Sequence, residues 1–304
     1  MNITRRQFGF VAGAAALAAK TTAPQVAITM DDVNWQAIPG ADPEKANRAI
    51  LGALAAHSNL RAAIFVCGKF VDNDTGRQLV RAWSDAGHIV GNHTYSHPFL
   101  PNITAPAFIQ DLERGEAVIR DFPGFQKMFR FPYLKEGDTA SKRDEVRAYL
   151  ASHGYRTGHV TIDASDWYYD NRFRERLAKD PSVDKRRYRD AYLAHIWDRA
   201  MYYDGLARNV LGHAVPHTLL IHYNLLNVLF LGDLLDMFVT KGWQLVSAQA
   251  AFQDPVFTRQ PDIVPAGESL IWALAKADPR FAAKLRYPGE DDVYEKPKLD
   301  RLGL

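Results

Sequence analysis

The sequence predicts an α/β protein whose parallel strands close, or nearly close, into a barrel of the (β/α)7 type with one inserted helical segment. Three observations carry this. Short β-branched apolar runs alternate with amphipathic helical runs, the pattern of parallel strands joined by crossover helices. Seven such strands in 304 residues favour closure over an open sheet. Apolar residues make up 47% of the chain, enough for a sizeable core. A doubly wound sheet ranks second. The lack of a Gly-rich phosphate loop after the first strand argues against nucleotide binding.

The elements follow in order. "QVAITM" (25–30) is a buried strand. In the helix that follows, Asp42 serves as N-cap and Pro43 suits the first turn, and Ala46, Ile50, Ala53 and Leu54 share a face. "AAIFV" (62–66) is the next strand, and "TGRQLVRAWSDAG" a helix ended by Gly87. "HIVGN" (88–92) is the third strand. Residues 104–121 are helical, with Phe108, Ile109, Leu112 and Val118 in the apolar set. "KMFRF" (127–131) is the fourth strand, 139–153 a helix closed by Gly154, and "YRTGHVTI" (155–162) the fifth strand. "HTLLI" (217–221) and "WQLVS" (243–247) complete the set, with a helix from about Asn227 to Lys241 between them and Gly242 as its stop.

One segment breaks the rhythm. Residues 168–216 are far too long for a loop, and Tyr188, Tyr192, Ile196, Tyr203, Leu206 and Val210 keep helical spacing. An inserted helical subdomain packed on the barrel is expected there. From Asp254 onward the chain is rich in Pro and charge, and a strap over the surface, about 254–304, is expected.

The N-terminus stands apart. "TRRQF" followed by "GFVAGAAALAA" resembles a twin-arginine export signal, with Ala16-Leu17-Ala18 as a small-x-small cleavage site. Residues 1–18 are thus expected to be a signal peptide and 19–304 a single exported domain, periplasmic or secreted. No apolar run reaches membrane-spanning length, so no stable membrane insertion is expected after cleavage. Lys and Arg number 37 against 35 Asp and Glu, a net charge of +2, which leaves no basic surplus for nucleic acid. Cys67 is the single cysteine, so no intrachain disulfide can form; in "AAIFVCG" it reads as a small buried hydrophobe. Oligomeric state is not legible.

Polar residues cluster at strand ends. Asp31-Asp32 follow the first strand, His93 and His97 the third, Arg130 closes the fourth, Asp163 and Asp166 follow "HVTI", and His222 ends "HTLLI". In a parallel barrel all carboxyl ends meet at one face, where active sites of such barrels lie. Singly, each has an ordinary explanation: a turn, a chance spacing, a salt bridge, a core histidine. Two His at i, i+4 reach one metal from a single helical turn, and with one of the Asp pair they make a three-ligand divalent site. The other aspartate is then free to take a proton from the attacking water. Arg130 can hold that carboxylate ionised. A protonated His222, its pKa raised by a carboxylate such as Asp166, can donate to a leaving amine.

At this point the motifs "TMDD", "HTYSH", "RFPY", "DASDW" and "LIH", in that order over about residues 25–250, resemble those of the polysaccharide deacetylase family, the carbohydrate esterases with a NodB homology domain. The resemblance implies a distorted (β/α) barrel and metal-dependent removal of acetyl groups from a polysaccharide or oligosaccharide, an N-acetyl sugar favoured. It implies Asp31 as base, Asp32, His93 and His97 as metal ligands, and Arg130 as partner of the base. It also implies Asp166 as partner of His222 (Asp163 the fallback), His222 as acid, Trp167 and Leu220 as walls of the acetyl pocket, and the Tyr133 backbone N–H as oxyanion donor. The metal it implies is zinc, with cobalt as the alternative. An acetylated glycan is the expected partner. "DDVNW" replaces the family's common Asp-Asp-Gly-Pro turn. The competing expectations are a catalytically inactive carbohydrate-binding barrel, a structural metal site and an O-acetyl esterase acting on xylan-like glycans.

Overall fold

The computed structural model describes residues 23–38, 40–288 and 291–304. The expected signal peptide therefore lies outside the described residues. Among the latter, no helix is long and apolar enough to cross a membrane.

Nine strands and twelve α-helices alternate along the described chain. The first half runs β1 (Gln25–Asp32), α1 (Pro43–Ala56), β2 (Ala63–Val66), α2 (Gly68–Val71), α3 (Asp74–Asp85), β3 (Ile89–Asn92), α4 (Ala105–Ile119), β4 (Phe125–Phe129), β5 (Lys135–Gly137), α5 (Ala140–Ser152) and β6 (Arg156–Thr157). The second runs α6 (Asp166–Lys179), α7 (Lys185–Leu211), β7 (Pro216–His222), α8 (Leu225–Thr240), β8 (Gln244–Leu245), α9 (Ala248–Ala251), β9 (Ala266–Gly267), α10 (Leu270–Lys276), α11 (Pro279–Ala282) and α12 (Asp291–Leu302).

The main sheet is parallel, in the order β6-β4-β3-β2-β1-β7, with β8 also pairing β1. Helices surround it, and the sheet curls into an incomplete barrel. The gap between β6 and β7 is spanned by one bridge, Ile162 to Leu219. Thr161 reinforces that bridge: its N–H donates to the Thr218 carbonyl at 3.1 Å, and Leu220 N–H donates to the Ile162 carbonyl at 3.0 Å. The long fifth strand expected over 155–162 is thus split. Two of its residues, in β6, pair β4, and the rest crosses to β7. Gly158 lies between the two parts, where a Cβ would stand 2.2 Å from the Phe65 ring.

Local chemistry explains most helix starts. The Asp42 carboxylate accepts from Lys45 N–H at 2.8 Å with Pro43 in the first turn, and Asn73, Thr104 and Asn224 cap α3, α4 and α8 in the same manner. Ala46, Ile50 and Leu54 of α1 are buried, as are Phe108, Leu112 and Val118 of α4. Each fully buried aliphatic or aromatic side chain contributes about 1.5–3 kcal/mol. The 27-residue α7 buries Tyr188, Tyr192, Ile196, Tyr203 and Leu206 in the main core.

Two expectations need correction. β4 ends at Phe129, so Arg130 follows the strand rather than closing it. The segment after Asp254 is not a mere surface strap. Val256, Phe257, Leu270, Ile271 and Trp272 are buried, and β9 pairs antiparallel with β5.

Candidate metal and catalytic site

β1 is the strand that positions the acidic pair. Its last two residues, Asp31 and Asp32, pair with Phe65 and Val66 of β2, and Asp31 also pairs with His222 of β7. Immediately there the chain turns left-handed, with φ of 75° at Asp32 and 53° at Val33. A β-branched residue seldom adopts that conformation, and a glycine would adopt it freely. Val33 is fully buried, so packing holds the turn that backbone preference opposes.

His93 follows β3 directly. Its Nδ1 lies 2.8 Å from the Arg130 carbonyl oxygen, which only an N–H can approach so closely, leaving Nε2 with a free lone pair. His97 is brought back not by a helical turn but by left-handed backbone, with φ of 66° at Thr94 and 61° at His97. Asp32 Oδ1 lies 3.6 Å from His93 Nε2 and 3.5 Å from His97 Nε2. Among the described residues Asp32, His93 and His97 form a cluster whose ligand atoms all lie within 4.8 Å of one another. A tetrahedral zinc site with bonds near 2.05 Å has ligand–ligand edges of about 3.3 Å. Asp32 Oδ1 is buried and has no hydrogen-bond partner, which is costly unless a cation satisfies it. Burial pushes both imidazoles toward the neutral form that binds metal, helped at His93 by His97 and at His97 by His222 and Lys69 against the pull of Asp32. The residues present fit a divalent cation.

Asp31 is 2% exposed. Burial raises its carboxyl to about 6, against the pull of Arg130 and His222 and with a push from Asp32. Arg130 Nη1 donates to Asp31 Oδ1 at 2.7 Å and to Thr29 Oγ1 at 2.9 Å, and its Nε donates to the Gly158 carbonyl at 2.8 Å. The guanidinium also stacks 4.1 Å from the Phe65 ring centroid. The position of Asp31 is therefore fixed, and Arg130 favours its ionised form against the pull of burial.

The long interval between Asp166 and His222 does not separate them, because α6 begins at Asp166 and packs beside the end of β7. Asp166 Oδ1 accepts from His222 Nδ1 at 2.7 Å, and Oδ2 accepts from His222 N–H, Asn224 Nδ2 and Asn227 Nδ2 at 2.8, 2.8 and 3.1 Å. Burial alone would lower the His222 pKa; Asp166, then Asp32 and Asp31, reverse this and raise it to about 10.

These groups open into one cavity of about 600 Å3. Asp31, Asp32, His93, His97, His222, Tyr133, Trp167 and Leu220 all line it. Arg130 and Asp166 stand behind it, in contact with Asp31 and His222. Asp163, the fallback, also lines the cavity but does not contact His222 in Asp166's place; burial raises its carboxyl to about 6. The sequence reading missed Phe99, Lys135, Glu268 and Tyr287, which line the same cavity. Lys135 lies two residues past "RFPY" and was within reach of a motif-neighbour reading. Glu268 and Tyr287 lie in the Pro-rich tail, where no spacing pointed to them.

Residues 18–158 match a family model described as Polysaccharide deacetylase. This segment, a little under half of the chain, is that of a polysaccharide deacetylase domain. Among curated relatives, peptidoglycan-N-acetylmuramic acid deacetylase PdaA of Bacillus subtilis is 28% identical over 154 residues, 49% of this chain and 54% of that protein. A peptidoglycan-N-acetylglucosamine deacetylase of Bacillus cereus is 31% identical over 110 residues, 36% of each chain. Chitin deacetylase of Colletotrichum lindemuthianum is 29% identical over 114 residues, 36% of this chain and 44% of that one. The chain thus spans about half, or less, of the length of these relatives. The solved structure of the Colletotrichum enzyme superposes with a TM-score of 0.52 at 22% identity, covering 76% of this chain and 88% of that one. The Bacillus subtilis peptidoglycan deacetylase PdaC gives 0.50 at 20% identity, covering 76% and 91%. These structures share the fold of this chain. The family match ends before Asp166, Trp167, Leu220 and His222, so the acid side of the site rests on geometry alone.

Proposed function

We propose that this chain is a metal-dependent hydrolase that removes acetyl groups from an N-acetylated polysaccharide or oligosaccharide. The observation that carries the reading is the meeting, in one cavity, of a three-ligand cluster with an unsatisfied Asp32 oxygen and two proton-handling groups on neighbouring strands. A divalent cation held by Asp32, His93 and His97, zinc first and cobalt second, would polarise the acetyl carbonyl and acidify a water beside it.

The chain's own residues do the rest. Asp31, with a pKa near neutrality, takes the proton of the attacking water. Arg130 holds the accepting carboxylate in place. His222, kept protonated by Asp166, gives its proton to the departing amine nitrogen, which needs one far more than an alcohol does. Trp167 and Leu220 wall the acetyl methyl, and the Tyr133 N–H donates to the developing oxyanion. A binding-only barrel has no use for a proton acceptor and donor so arranged. The domain is proposed to begin after an N-terminal export signal, which directs it to the periplasm or beyond.

The test is to strip the purified protein of metal, add back zinc or cobalt, and measure acetate release from a panel of N- and O-acetylated glycans. Metal-dependent release from N-acetyl sugars supports the reading. Release from O-acetyl xylan alone would reassign the leaving group. Sugar binding with no release from any glycan would overturn the enzyme.

A further inference from the structure

One wall of the cavity comes from outside the motifs. Lys135 opens β5, and the short β9 pairs with it, placing Gly267 opposite Lys135. The approach is close enough that a Cβ on Gly267 would stand 2.0 Å from the Leu134 carbonyl oxygen, and the following Glu268 N–H donates to that oxygen at 2.8 Å. Glu268 itself is left-handed, with φ of 69°. This backbone brings three side chains together. Lys135 Nζ donates to Glu268 and, at 2.7 Å, to Tyr287 Oη, and Tyr287 Oη donates to Glu268 Oε1 at 2.9 Å. The ammonium also sits 5.0 Å from the Tyr287 ring centroid. Asp163 faces the same cavity and attracts Lys135.

The chemistry of that wall is specific. One ammonium is set against two carboxylates, so the wall is no receptor for an anion. Its oxygens accept hydroxyl protons, Lys135 donates, and the half-exposed Tyr287 offers an apolar face. We propose that Lys135, Asp163, Glu268 and Tyr287 form a recognition subsite for a neutral sugar residue adjoining the acetylated one, so that the substrate is an oligomer or polymer whose neighbouring residue carries hydroxyls and no carboxylate. A sugar bearing an acidic ether substituent would meet Glu268 and Asp163 as like charges. The cavity, about 600 Å3, falls in the range that encloses ligands larger than one sugar ring. The assignment of the acetylated residue rests on the deacetylase reading above; the subsite itself does not.

The experiment measures binding and turnover separately. Calorimetry on the zinc-loaded, full-length Asp31→Asn variant compares a β-linked N-acetylglucosamine trisaccharide with N-acetylglucosamine. The trisaccharide is expected to bind about tenfold tighter, Tyr287→Ala to remove most of that gain while changing monosaccharide binding less than about twofold, and Glu268→Gln and Lys135→Met each to weaken trisaccharide binding about threefold to tenfold. Equal affinity for the two ligands, or equal weakening of both by Tyr287→Ala, would overturn the subsite. Tighter binding of a trisaccharide whose neighbouring residue bears a lactyl carboxylate would overturn its neutral character. Should the wild-type enzyme release no acetate while the length-dependent binding holds, the subsite stands and the deacetylase reading falls. Glu268→Gln preserves shape and hydrogen bonding, so it decides the matter if Tyr287→Ala does not fold.

Discussion

Changing Asp166 to Asn removes the charge behind His222 while keeping an oxygen in position to accept from Nδ1. In the native protein that charge, helped by Asp32 and Asp31, holds the imidazolium pKa at about 10 instead of 6.5. The difference corresponds to about 5 kcal/mol of preference for the charged form. Losing the dominant attraction leaves burial in control, so His222 should titrate at or below about 6.5 in the variant. In the zinc-free protein at about pH 8.5 the protonated fraction then falls from nearly complete to about 1%, which sets about 100-fold as the upper bound on the loss of kcat/KM in the zinc enzyme at that pH. Near pH 6 the loss should be far smaller. The assay is acetate release from an N-acetylated oligosaccharide across pH, with an NMR titration of His222 in the zinc-free protein alongside. A bound dication at Asp32 repels the imidazolium, so the wild-type alkaline limb of the zinc enzyme should lie below the His222 pKa of the zinc-free protein. If the alkaline limb of Asp166→Asn coincides with that of the wild type, or if activity drops equally at all pH values, His222 is not the acid that Asp166 holds charged. The linkage has a matching sign: the raised pKa contributes stability that is complete below about 6.5 and lost as pH rises through about 10.

The remaining expectations are briefer. On the acid side, Asp31 of the zinc-free protein should become protonated as pH falls through about 6, and the bound dication should move the acid limb of kcat/KM below that; an acid limb above the zinc-free Asp31 pKa would show that another group is the base. Asp31→Asn should cut turnover by at least about 100-fold while metal content, read by atomic emission, stays near one equivalent. His93→Ala should instead lose the metal, with affinity down by more than about 100-fold, and full occupancy after dialysis would contradict the ligand set. Zinc at about 100 times its Kd should stabilise the folded protein by about 2.7 kcal/mol, and an unchanged Tm would argue that no site exists. Gly267→Ala forces a Cβ against Leu134 O at φ of 125° and should cost about 1–3 kcal/mol in denaturant unfolding; a neutral result would mean β9 does not press on β5 as described.

Much of this molecule was legible because strand periodicity, turn residues and the motif positions all reported on the same local events. Asp42 and Pro43 start α1, and the alternation of runs 25–30, 62–66 and 88–92 with helices gave the parallel sheet. The acidic pair and the two histidines could be grouped because parallel strands share an end. What was hidden depends on contacts distant in sequence. The run 155–162 looks like one strand, since nothing in its pattern reveals that Gly158 must clear Phe65 and hand the chain from β4 to β7. The spacing of His93 and His97 mimics a helix, although left-handed residues make the turn. The tail reads as polar and Pro-rich, yet it buries Trp272 and delivers Glu268 and Tyr287 to the cavity through a two-residue strand too short to carry a period. The Asp166–His222 contact spans the whole helical insertion, so it was the motif order and the chemistry of the pair, not their spacing, that suggested it.

The register of β1 against β7 has one further effect. Asp31 and His222 sit opposite each other on adjacent strands, whose separation is the ~4.8 Å of any hydrogen-bonded ladder. The clearance between the proposed proton acceptor and the proposed donor is therefore gauged by the backbone rather than by loops. Loops around it can lengthen, shorten or change composition, and so tailor which polymer enters, without resetting that gauge.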